Sequence, residues 1–134
     1  MEYNFMWSAP SSSAPVVTIA RYGITFNSTT IEMMGRPKNI LMGVDVKKRV
    51  VGFQAVEDAD SNTKSYSFAE RESKAGYIRI GNKDFVDYIS TIAGFDTRKT
   101  YKFFGRWDSE RQLLTIDLSR PTSQVDQAEE ECSE

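Results

Sequence analysis

Between Arg98 and Leu118 the chain reads RKTYKFFGRWDSERQLLTIDL, an interleaving of cations and rings that suits contact with a nucleic acid. Successive side chains of an extended strand face opposite ways. Tyr101, Phe103 and Trp107 therefore share one side, which reads as core, and Lys102, Phe104 and Arg106 share the other. Tyr77 and Arg79 alternate with Ile78 and Ile80 in the same way. If these strands are neighbours, Tyr77, Arg79, Lys102, Phe104 and Arg106 make one outward patch. Rings on which bases stack, beside cations that follow the phosphates, are what sequence-tolerant single-strand binding requires. The same residues would equally serve to solvate one face of a sheet. Lys47, Lys48 and Arg49 occupy an expected hairpin tip, where three cations could touch phosphate and fix register without reading sequence; a solvated turn is the plainer alternative.

Other chemistries find little to work with. Histidine is absent, which removes the commonest general base and metal ligand, and the one cysteine, Cys132, has no partner for a disulfide. Asp84 and Asp87 lie on one expected helix, but Asp84 belongs in its first turn, where an acid suits the helix dipole. Glu57, Asp58 and Asp60 lack the glycine and closing glutamate of a calcium loop. With no glycine-rich phosphate loop and no nucleophile elbow, the expectation is a non-enzymatic protein that needs no cofactor and no metal.

The elements that would position the patch follow from periodicity. A chain of 134 residues has the size of one domain, and no apolar run is long enough to cross a bilayer, so a cytoplasmic protein without a membrane partner is expected. Residues 1–15 end in SAPSSSAP and read as a flexible Ser/Pro arm; residues 16–120 read as a single α+β domain; residues 121–134 read as an acidic tail. That tail carries Asp126, Glu129, Glu130, Glu131 and Glu134 and no cation, and without it 17 basic residues face 14 acidic ones. A flexible anion of this kind can compete for a basic groove, or merely solubilise.

Within the body, VVTIARYGITF divides into two strands at Tyr22-Gly23, and NSTTIEMMG reads as a short helix capped by Asn27 or Ser28. Ile40 to Ala55 alternates as a hairpin turning at Lys47-Lys48. The order then recurs: SYSFAER and GYIRIG as strands about an ESKAG turn, NKDFVDYISTIAG as a helix capped by Asn82 with Phe85, Ile89 and Ile92 on its buried face, and a closing hairpin. Aligning Ile24-Thr25-Phe26 with Ile78-Arg79-Ile80 sets Ile31 opposite Phe85, and the turn acids Asp45 and Asp108 also fall in equivalent places, each after an apolar strand and before a basic or polar turn. The fold expected is α+β, antiparallel sheets with two short helices in a pseudo-duplicated ββαββ unit, with halves at about 16–56 and 65–118.

Gly23 to Phe53, GITFNSTTIEMMGRPKNILMGVDVKKRVVGF, is similar to the strand, helix and hairpin order of AbrB-type transition-state regulators. That resemblance implies a DNA-binding dimer made by swapping hairpins, though here a second unit follows and the arginine-rich first strand is missing. The strand and helix alternation from Asn39 to Gly81 resembles PC4 and Whirly single-stranded DNA-binding proteins, which implies a binding sheet bearing basic and aromatic residues such as Tyr77, Arg79, Lys102 and Arg106. The function expected is binding of single-stranded DNA or RNA, possible self-association, and an acidic tail that modulates access. The alternative is a structural or assembly module of a phage or mobile element that meets protein partners through sheet edges and the arm.

Overall fold

The computed structural model describes residues 14–57, 65–96 and 98–126. Among these residues ten strands form two five-stranded antiparallel sheets, with helices α1 (Ser28–Met33) and α2 (Lys83–Ala93). The first sheet, here sheet A, runs in the order β10 (Ser123–Asp126), β7 (Lys99–Phe104), β1 (Val16–Ala20), β2 (Gly23–Phe26), β6 (Ile78–Ile80). Sheet B runs β5 (Tyr66–Ser67), β3 (Asn39–Asp45), β4 (Val50–Val56), β9 (Leu113–Asp117), β8 (Arg106–Asp108). The α+β class read from the sequence is thus the class observed. No helix among the described residues is long and apolar enough to cross a membrane.

β-Branched and aromatic residues at alternate positions place one face of each strand inward. Val17, Ile19, Ile24, Phe26, Ile78, Ile80 and Phe103 from sheet A meet Ile40, Val51, Phe53, Leu114 and Ile116 from sheet B in one buried cluster. Phe26 is its junction, edge-on to Phe53 at 5.0 Å and to Phe68 at 5.1 Å between ring centroids. Such aromatic pairs add about 0.5–1.5 kcal/mol each beyond the area they bury.

The two halves interlock. β2 meets β6 with Ile24, Thr25 and Phe26 opposite Ile80, Arg79 and Ile78; β4 meets β9 with Val51, Gly52 and Phe53 opposite Ile116, Thr115 and Leu114. Each pairing reads the same from either half. β1 lies against β7, and β3 against β5, so each half lends a strand to the other. The turns also match: Asp45 Oδ1 accepts from the Lys48 N–H and Asp108 Oδ1 from the Arg111 N–H, and Arg49 and Gln112 both take left-handed backbone, φ 57° and 54°. The helices begin alike, since Asn27 Oδ1 accepts from the Thr30 N–H and Asn82 Oδ1 from the Phe85 N–H.

Several details differ from the sequence reading. Matching the asparagine caps sets Ile31 opposite Val86, one residue on from Phe85; both are buried, and α2 presents Val86, Ile89 and Ser90 inward while Phe85 and Ile92 are half-buried. SYSFAER pairs for only two residues. Phe68 then turns into the core, its N–H donating to the Lys38 carbonyl, and Ala69–Arg71 form a 3-10 turn. β5 and β6 pair with β3 and β2, never with each other. Arg98 to Leu118 is not one hairpin: the chain leaves sheet A at Gly105 and only β8 pairs with β9. Gly105 suits that corner, because a Cβ there would lie 2.9 Å from Cδ1 of buried Leu114 and would force that side chain to shift. Finally, the body continues beyond 120, as Ser123–Asp126 add to the edge of β7, with the Thr122 N–H donating to the Lys102 carbonyl at 2.7 Å.

Chemical denaturation tests this geometry. Gly105→Ala should cost about 1–3 kcal/mol through the clash with Leu114, whereas Gly43→Ala, where a Cβ meets nothing within 4 Å, should stabilise by up to about 0.5–1 kcal/mol. Thr100→Val should match or exceed the parent chain, because the Thr100 hydroxyl is fully buried without a hydrogen-bond partner among the described residues, a state that costs about 1–3 kcal/mol.

Candidate nucleic-acid interface

The outward side of sheet A is built by register. Lys102 stands opposite Thr18, Thr18 opposite Thr25, and Thr25 opposite Arg79, one row across β7, β1, β2 and β6. With strands about 4.8 Å apart the row is about 14 Å long. One step along the strands, Phe104 stands opposite Val16, and its ring is 60% exposed. In the other direction Thr100, Ala20 and Gly23 are buried, which closes the patch at that end.

Arg79 organises the far edge. Its guanidinium carbon lies 4.9 Å from the centroid of the Tyr22 ring and 5.7 Å from that of Tyr77, both within cation–π range. Its Nε also reaches Thr25 Oγ1 at 3.4 Å, long for a hydrogen bond. The two rings remain 48% and 38% exposed. The arginine is thereby held near the surface with two rings beside it. Among the described residues no carboxylate pairs with Arg79 or Arg106.

The sequence-predicted residues therefore divide. Tyr77, Arg79, Lys102 and Phe104 share the outward side of sheet A. Arg106 lies past the Gly105 corner on β8, in sheet B, yet lines a surface hollow with Phe104, Asp117 and Arg120. Lys47, Lys48 and Arg49 belong to the β3–β4 turn of sheet B and are exposed. Their link to Arg106 is indirect: the Leu118 N–H donates to the Arg49 carbonyl at 2.8 Å, beside the Asp117–Arg120 turn. Sequence reasoning missed Tyr22, Thr18, Thr25 and Arg120. Tyr22 was visible as a turn residue, but its approach to Arg79 needs the β2–β6 pairing, which local periodicity does not show.

Asp117 is the acid within this group of cations. Its carboxyl is held below the ordinary 3.8, first by the Ser119 hydroxyl at 2.6 Å and then by the Ser119 N–H at 3.0 Å, with Arg120 at 3.9 Å adding a weaker pull. The carboxylate is thus engaged by its own turn. Comparison with known proteins brings no match, whether to a family model, a curated protein or a solved structure.

In Ser119→Ala the Asp117 pKa should rise toward the ordinary carboxylate value, read by NMR titration of its side-chain carboxyl. The sign follows from linkage: a depressed folded pKa gives stability that is present above the unfolded value and lost as pH falls through the folded one. The variant should therefore carry less of this contribution above the unfolded value, and its stability should fall less on acidification than that of the parent chain.

Proposed function

We propose that the chain is a non-enzymatic nucleic-acid-binding protein that prefers single strands, and that the outward side of sheet A is its binding surface. The observation that carries this is the Lys102–Thr18–Thr25–Arg79 row, flanked by the exposed rings of Phe104, Tyr77 and Tyr22. Phosphates follow the two terminal cations, threonine hydroxyls offer hydrogen bonds between them, and bases stack on the rings. Nothing in the row forms the donor pattern of base-specific readout, so the preference is for strandedness over sequence. Arg106 and Arg120 extend the positive surface at the Phe104 end, and Lys47, Lys48 and Arg49 extend it further.

Two resemblances support this reading. The exchange of strands between the halves is a single-chain counterpart of the hairpin swap that the AbrB-type resemblance implies. A sheet bearing cations and rings is what the PC4 and Whirly resemblance implies. A regulatory role in the cytoplasm suits both. The tail deepens it: β10 docks on β7 with Ser123 opposite Lys102, which anchors the acidic tail to the sheet that bears the row, and its Glu129, Glu130, Glu131 and Glu134 serve as a competing polyanion.

Fluorescence anisotropy with a labelled oligonucleotide across salt concentrations tests both parts on the full chain. Arg79→Glu with Lys102→Glu should weaken binding at least tenfold and flatten the logarithmic salt slope by about 1.4, two phosphate contacts at ~0.7 each on a single strand. Unchanged affinity would remove sheet A from consideration. Replacing Glu129, Glu130, Glu131 and Glu134 by Gln, which leaves β10 in place, should tighten binding several-fold at low salt and have no effect at high salt.

A further inference from the structure

Sheet B has an outward side of opposite character. Gly43 and Gly52 stand directly opposite each other in mid-strand on β3 and β4, flanked by Leu41, Val50, Leu113 and Thr115. With the polar Asp45, Lys48, Gln54 and Arg111 they line an open groove of about 490 Å³ whose surface is mostly apolar. A Cβ on Gly43 would meet nothing within 4 Å, so the floor is bare backbone there, while at Gly52 the Leu113 side chain comes within 3.3 Å of a Cβ position. Glycine inside a strand costs about 0.5–1 kcal/mol relative to alanine and commonly marks a close approach by another group. A ring laid across a strand glycine restores the lost packing.

We propose that this groove seats the N-terminal segment Tyr3–Trp7 of the same molecule. That segment, YNFMW, places Tyr3, Phe5 and Trp7 at alternate positions, so an extended backbone turns all three rings to one side. The path is short. The Gly105 N–H donates to the Pro15 carbonyl at 3.0 Å, and the next residue, Arg106, heads the cross-strand row Arg106, Thr115, Gly52, Gly43. From β8 to β4 is two strand spacings and to β3 three, about 10 and 14 Å. Residues 8–14 span up to about 23 Å when extended. The connection therefore reaches with slack, and a short tether holds the segment at an effective concentration on the order of millimolar, which favours the chain's own segment over that of a second copy.

Amide NMR shifts and sedimentation of full-length chains decide the matter independently of nucleic-acid binding. Substituting Tyr3→Ser, Phe5→Ser and Trp7→Ser together should shift the amides of Leu41, Gly43, Val50, Gly52 and Leu113 while those of sheet A stay in place. Gly43→Val, which fills the groove where space is open, should move the Tyr3–Trp7 amides to the positions of an unstructured peptide. Every variant should sediment as a monomer. Groove amides indifferent to the triple substitution, or shifts confined to another surface, would overturn the proposal. So would a parent chain that is dimeric and becomes monomeric on triple substitution, since the occupant would then be a second copy.

Discussion

The molecule depends on two antiparallel pairings between its halves, β2 with β6 and β4 with β9. Each half alone has a few short strands and one short helix, too little to cover Phe26 or Phe53 from both sides. Joined through these central pairs, the strands become two sheets around one core, and Phe26 of the first half reaches both Phe53 across the sheets and Phe68 in the second half. The buried cluster therefore holds contacts of both kinds, Phe26 with Phe53 inside the first half and Phe26 with Phe68 between the halves.

Closing the sheets this way also decides what faces outward. The β2–β6 pairing brings Arg79 to Thr25 and to Tyr22, residues more than fifty positions away in the chain, while β1–β7 brings Lys102 to the same row. The β3–β4 and β4–β9 pairings set Gly43, Gly52 and Thr115 in line on the other sheet. One molecule consequently carries a cationic, ring-flanked side and a glycine-floored one whose apolar lining is edged by Asp45, Lys48, Gln54 and Arg111. At the two ends of the described body, the Ala14 and Pro15 carbonyls accept from Asn27 Nδ2 and the Gly105 N–H, and β10 lies along β7.

Much of this was legible in the chain because local signals agreed with one another. The Asn27 and Asn82 caps, the Asp45 and Asp108 turns, and the inward alternation of Tyr101 and Phe103 or Leu114 and Ile116 all lie within a few residues of what they control. The doubling of the unit could be read from their recurrence. What escaped was set at long range. Gly105 gives no local sign that a strand changes sheets there; the preference for glycine comes from Leu114. SYSFAER has strand-forming residues, but Phe68 is drawn out of line toward Phe26. Of the proposed site, Tyr77, Arg79, Lys102 and Phe104 were recoverable by alternation alone, whereas Tyr22 and the threonines between the cations required the pairing map.

The account rests on the outward side of sheet A being where nucleic acid lies. Titrating the isotope-labelled chain with a short single-stranded oligonucleotide and following amide shifts addresses this directly. The account predicts saturable shifts at Thr18, Thr25, Arg79, Lys102 and Phe104, weaker ones toward Arg106 and the β3–β4 turn, and none at Gly43 or Gly52. Shifts centred on sheet B, or an unchanged spectrum at low salt, would contradict it.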